Sequence, residues 1–109
     1  MIEIEAGLDS GGIIKVCKAS GHAGAGKTGT DIVCAAVSVL FKTALNVLSE
    51  REGIVLRGGA PEKGQLWLET EYNAKGKDFL FAVGEFLIYG LLSVAEDYPD
   101  NCKLTIRNL

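Results

Sequence analysis

Basic charge is in short supply in this chain: 11 Lys and Arg stand against 14 Asp and Glu, for a formal net charge of −3 and a pI near 5.1. The cations are scattered rather than clustered, so there is no basic field to hold a phosphate backbone, and nucleic acid is not expected as a direct ligand. Long apolar runs are missing too. No stretch reaches the ~18 uninterrupted apolar residues of a membrane span, and the opening MIEIEAGL has no basic segment followed by an apolar run of the signal-peptide kind. No membrane partner is expected. The three cysteines, Cys17, Cys34 and Cys102, are odd in number and show no C-x-x-C spacing. That argues against a disulfide framework and against a zinc site; no metal or cofactor is expected, and a reducing cytoplasm is the natural compartment. At 109 residues the chain has no length for a second domain, while 48% hydrophobic content is enough for one core without staples. Residues 1–109 read as one domain.

What is present is a regular alternation of strand and helix signals. Ile2, Ile4 and Ala6 alternate with Glu3 and Glu5, the period of a strand with one wet face. Ser10, Gly11 and Gly12 supply a turn, and Ile13 to Ala19 continues as a second strand of a hairpin. Residues 23–30 are small and glycine-rich and read as a loop. Thr30 or Asp31 is placed to cap a helix running to about Glu50, whose first ten residues read as buried nearly all round. Gly53 breaks it. Ile54 and Leu56 mark a third strand, GGAPEKG a turn from Gly58 to Gly64, and Gln65 to Tyr72 a fourth strand. A second helix is expected from an Asp78 cap to about Asp97, with Gly84 and Gly90 admitting another backbone closely. Lys103 to Arg107 gives a fifth strand. The order ββαββαβ points to a two-layer α+β fold: a five-stranded mixed or antiparallel sheet with two helices on one face.

The only histidine, His22, falls just past the second strand, and Cys34 falls near the start of the first helix. A cysteine attacks a carbonyl as thiolate, which a helix N-terminus and a neighbouring imidazole both favour. On this reading Cys34 is about the third helical residue, where free amides also face an oxyanion, and His22 folds back to take and return the proton. Asp31, Cys34 and Ser38 stand at i, i+3 and i+7 and share a face. Asp31 either orients the imidazole or only caps the helix. Ser38 bonds to His22, to substrate, or to the carbonyl of Cys34 one turn back. Cys17 and Cys102 read as small core residues. A buried helical cysteine and a strand-end histidine are, on composition alone, more often structural than catalytic.

Gly21 to Thr28, GHAGAGKT, also spells the phosphate-binding pattern G-x-x-x-x-G-K-S/T. A nucleotide is disfavoured on three grounds: the helix is expected to begin only at Asp31, no apolar strand ends in an aspartate to hold magnesium, and the hairpin order lacks repeated βαβ units.

SGHA at Ser20 to Ala23, followed by G-x-D-I-V-C-A-A-V-S from Gly29 to Ser38, resembles the bacterial ribosomal-processing cysteine protease family over essentially the whole chain. The resemblance implies a cysteine endopeptidase that removes an N-terminal extension from ribosomal large-subunit protein twenty-seven, cutting after paired aromatic residues. Position by position it makes Cys34 the nucleophile and His22 the base, with Asp31 and Ser38 at further motif positions. It also implies a loop that moves when peptide enters, with Gly21, Ala23 and Gly29 as expected peptide contacts, and a homodimer, for which the apolar second helix is the expected seat. The loop here, Gly24 to Thr28, is smaller and more basic than the acidic or aromatic versions associated with the family. The contrasting reading is a non-enzymatic ribosome-assembly or protein-binding module making its contacts through the second helix and residues Gly58 to Gly64.

Overall fold

The computed structural model describes residues 1–21, 28–60 and 65–109, the side chains of residues 28–31 excepted. Seven elements follow in the expected order: β1 (Ile2–Leu8), β2 (Ile14–Ser20), α1 (Thr28–Leu48), β3 (Ile54–Gly59), β4 (Gln65–Tyr72), α2 (Lys77–Asp97) and β5 (Cys102–Asn108). The sheet order is β3-β4-β2-β1-β5. Every neighbouring pair is antiparallel except β1 and β5, which run parallel from Ile2 beside Cys102 to Leu8 beside Asn108. The sheet is therefore mixed. The crossover through α2 carries β5 to the edge opposite β3.

Strand periodicity decides which face is covered. Ile2, Ile4 and Ala6 are buried while Glu3 and Glu5 are exposed, and on β4 Leu68 and Thr70 point inward while Trp67 and Glu69 lie on the open side. Thr70 is the one buried polar side chain among the described residues, and its hydroxyl donates to the Ile14 carbonyl at 2.7 Å, so its burial leaves no orphan group. Both helices lie on the inward face. Val33, Val37, Phe41, Ala44 and Leu48 form the buried stripe of α1, and Leu80, Gly84, Leu87 and Leu91 that of α2. Each fully buried large side chain contributes about 1.5–3 kcal/mol.

Several expectations shift. α1 begins at Thr28, so Thr30 and Asp31 lie inside its first turn and neither caps it. Its start is not buried all round: Ile32 is 50% and Val39 62% exposed, because no third layer covers the outer face of the helices. Asp78 is not the cap of α2 either. Gly76 holds that position without a side-chain cap, and packing explains it: a Cβ there would lie 2.4 Å from the Gly53 carbonyl oxygen. At Gly84 and Gly90 the close neighbours are the Ile14 and Leu40 side chains rather than another backbone. Although α2 has the length and mean hydropathy of a membrane-crossing segment, here it is one half of the helical layer.

Candidate active site

The candidate residues fall in the stretch between the end of β2 and the first turns of α1. Ser20 is paired with Glu3 on one side and Gln65 on the other, which places the β2 terminus in mid-sheet. Gly21 follows with φ +108°. His22 and Ala23 lie outside the described residues, as does the side chain of Asp31. Gly29, expected in the loop, is the second residue of α1, so of the three expected peptide contacts it sits on a helix.

Cys34 is the seventh residue of α1, not the third. With a rise of ~1.5 Å per residue it stands about 9 Å along the axis from Thr28. Its own amide therefore belongs to the helical ladder, and the unpaired amides are those of the first turn. The expectation that the Cys34 position itself offers helix-start amides to an oxyanion is corrected accordingly, and the helix dipole, which acts within the first turn, reaches the sulfur only weakly. The structure does keep the backbone positions of Asp31, Cys34 and Ser38 on one helical face, one turn apart; Cys34 and Ser38 are both half-buried.

The three free thiols differ sharply. Cys17 is 0% exposed in the core, and desolvation pushes its pKa up to about 12. Burial raises Cys102 as well, since an apolar surround disfavours the charged sulfur. Both lie in the core, where the sequence reading put them. Cys34 packs against the core with part of its surface open. By elimination it is the one thiol with access to a substrate.

Two surface depressions lie elsewhere. One of about 700 Å³ spans the open sheet face, bounded by Glu3, Glu5, Lys18, Trp67 and Lys103. Another, of about 430 Å³, is an apolar groove between the outer faces of α1 and α2, with Val39, Val47 and Phe86 in its walls. Cys34 lines neither. Nothing in the composition pointed to the first, because a half-buried Trp67 on a charged face looks like ordinary strand alternation.

Of the three grounds against a nucleotide, the late helix start is removed, since α1 begins directly after Lys27. The other two stand. The strands end in Leu8, Ser20, Gly59, Tyr72 and Asn108, none an aspartate, and one parallel pair does not make a nucleotide-binding sheet.

A half-exposed thiol on the first helix of an α+β sheet domain, after the segment that carries the one histidine of the sequence, fits a cysteine peptidase. The family model for cysteine protease Prp matches residues 1–103, and the chain belongs to that family. Among solved structures it is similar to SMU.848 from Streptococcus mutans, at 29% identity over 100% of this chain and 96% of that one, with a TM-score of 0.78. It shares its fold with the ribosomal processing protease Prp from Staphylococcus aureus. The complex of that protein with a substrate peptide is 19% identical, covers 98% of this chain and 100% of that one, and has a TM-score of 0.81. The complex with a covalently linked product peptide is 20% identical over the same shares, again at 0.81. No curated protein matches. Family membership makes the chain a cysteine-type peptidase rather than a non-enzymatic binding module. Of the loop assigned to that alternative, Gly58 and Gly59 belong to β3 and residues 61–64 lie outside the described residues.

Proposed function

We propose that this peptidase removes the N-terminal extension of ribosomal large-subunit protein twenty-seven, with Cys34 as nucleophile and His22 as general base, in the cytoplasm and as a homodimer. The observation that carries the site is the contrast among its thiols: two sealed in the core, one half-open on α1. The connection has the length the chemistry needs. Five residues lie between His22 and Thr28, and the six steps joining them span up to about 20 Å when extended, more than the roughly 9 Å from Thr28 to Cys34 along the helix. Supporting the substrate class are the family match and the fold shared with a ribosomal processing protease.

The reaction is acyl transfer. His22 takes the thiol proton as sulfur bonds to the scissile carbonyl carbon; the imidazolium then protonates the departing amine as the C–N bond breaks, leaving a thioester. Water gives a proton to His22 while its oxygen attacks the thioester carbon; the C–S bond then breaks, the imidazolium returns that proton to the sulfur, and the carboxylic acid leaves. On the same reading the second copy covers the apolar groove between α1 and α2, where Phe86 is 73% exposed; exposed apolar surface of this kind supports a protein contact.

Incubation with a ribosomal protein carrying its native extension tests the reading. Wild type should release the N-terminal peptide, while Cys34→Ala and His22→Ala should fold and leave it whole. Cleavage by Cys34→Ala would end the proposal.

A further inference from the structure

We propose that the depression on the open sheet face is an exosite for the substrate: Trp67 receives an apolar or aromatic side chain of the peptide and Lys18 an acidic one, both away from the bond that is cut. The proposal rests on the ribosomal-protein reading above.

Strand register brings the two side chains together. Trp67 on β4 stands opposite Lys18 on β2, and Glu5 and Thr105 continue the same row across β1 and β5. Opposed positions on one face of a sheet lie ~5 Å apart, so a short run of peptide meets both. The row borders a cavity of about 700 Å³, within the ~300–1,000 Å³ range of ligand pockets.

Uncommitted pairing groups distinguish this row from ordinary strand surface. Two acids of the cavity are taken: Glu5 meets Arg107 at 3.7 Å and Glu69 meets Arg57 at 3.4 Å. Lys18 stands beside Glu5, yet among the described residues it joins no ion pair, and the Trp67 indole N–H has no acceptor. Trp67 is half-buried with no second layer over it. An amphipathic ring held open beside a free cation suits a ligand with an apolar body and a carboxylate. A polyanion fits poorly, because Glu3, Glu5 and Glu69 line the same cavity.

Position along the sheet ties the row to the candidate nucleophile. Leu45 of α1 packs on Gly58, the neighbour of Gly59, which pairs with Trp67. Cys34 lies eleven residues earlier, about 16 Å along the axis. It lies toward the end where β2 stops, since α1 finishes before Ile54, whose partner Tyr72 marks the far end. Ser20 and Gln65 carry the cavity to that same end. A peptide passing from the sulfur over the sheet end reaches the Trp67 row in an extended run, at ~3.3 Å per residue.

Two substrates decide the matter: the ribosomal protein with its native extension, and a peptide of about eight residues centred on the cut, whose arms of ~13 Å do not get round the sheet end. Trp67→Ala should raise KM for the ribosomal protein about tenfold and Lys18→Glu about threefold, with kcat unchanged. Both variants should cleave the short peptide as wild type does, which also shows them folded with the site of the cut intact. Changing the acidic residues of the ribosomal protein to amides one at a time should reproduce the Lys18→Glu rise at one position, with no further rise when the two changes are combined. Wild-type KM for the ribosomal protein in both variants would overturn the exosite, and so would an equal rise in KM on the short peptide. If Trp67→Ala does not fold, Lys18→Glu decides alone. Cleavage of neither substrate by wild type would overturn the ribosomal-protein reading and the exosite with it.

Discussion

The two ends of the sheet are built differently. At the end holding the β1–β2 turn, side chains brace the structure. Asp9 accepts from the Gly11 and Ile13 amides at 2.9 and 3.0 Å and from the Tyr72 hydroxyl, Lys15 meets Glu71 at 2.9 Å and lies over the Tyr72 ring, and Lys75 meets Glu52 at 3.0 Å. Around the terminus of β2, backbone contacts run from Ile2 to Asn101 and from Asn101 and Cys102 to Tyr98, and Gly21 lies against Met1. Among the described residues, side-chain bracing thus gathers around the β1–β2 turn, and backbone contacts recur around the β2 terminus. On the proposed function, the chemistry lies at the end opposite this bracing, a rigid scaffold carrying a functional connection.

The separation can be broken from either side. The largest effect belongs to the catalytic end: Cys34→Ala should abolish cleavage while its urea midpoint stays at the wild-type value, and a large shift in that midpoint would mean that the thiol is structural. Next comes the core that joins both ends. Phe41, 0% exposed on α1, should cost about 3–5 kcal/mol when cut to alanine, read as a lower urea midpoint with unchanged slope. Smaller still is the outer face. Phe86→Glu should turn a dimer into a monomer by sedimentation velocity with little change in monomer stability, since Phe86 is 73% exposed; a wild-type sedimentation profile would move the interface elsewhere.

The smallest effect tests the brace by pH. Hydrogen bonding from Tyr72, then from the Ile13 and Gly11 amides, holds the Asp9 carboxyl below its ordinary value, and the same contact with Asp9 raises the Tyr72 phenol. A depressed acid contributes stability above its unfolded pKa, ~3.9, and loses it as pH falls through the lower folded value. The raised phenol contributes below its unfolded pKa, ~10, and loses it as pH rises through the higher folded one. Tyr72→Phe should therefore lower the unfolding midpoint at pH 7, and the gap from wild type should close in acid and in strong base. A gap independent of pH would show that the pair carries no linked charge.

Much of this was legible in local pattern. Alternation at Ile2, Ile4 and Ala6 and from Leu66 to Tyr72 gave the strands and their inward faces, and the bounds of β4 coincide with the expected ones. The order ββαββαβ and the two-layer class followed. The candidate nucleophile was legible because Cys17 and Cys102 sit in strand patterns that bury them, leaving Cys34. The start of α1 was less legible: Thr30 and Asp31 look like caps, yet the helix extends back to Thr28, and a capping preference of about 1 kcal/mol does not fix where a helix begins.

By itself, then, the sequence determined the elements, their order, the covered face of each strand and which thiol is the candidate nucleophile, since each depends on residue type and spacing along one segment. Only the tertiary structure decided that β5 joins β1 in parallel, that the outer faces of α1 and α2 form an open apolar groove, that Cys34 sits two turns into its helix, and that Met1 closes on Gly21. Those are meetings between segments distant in the chain, and local periodicity says which face a residue turns inward but not which neighbour it will find there.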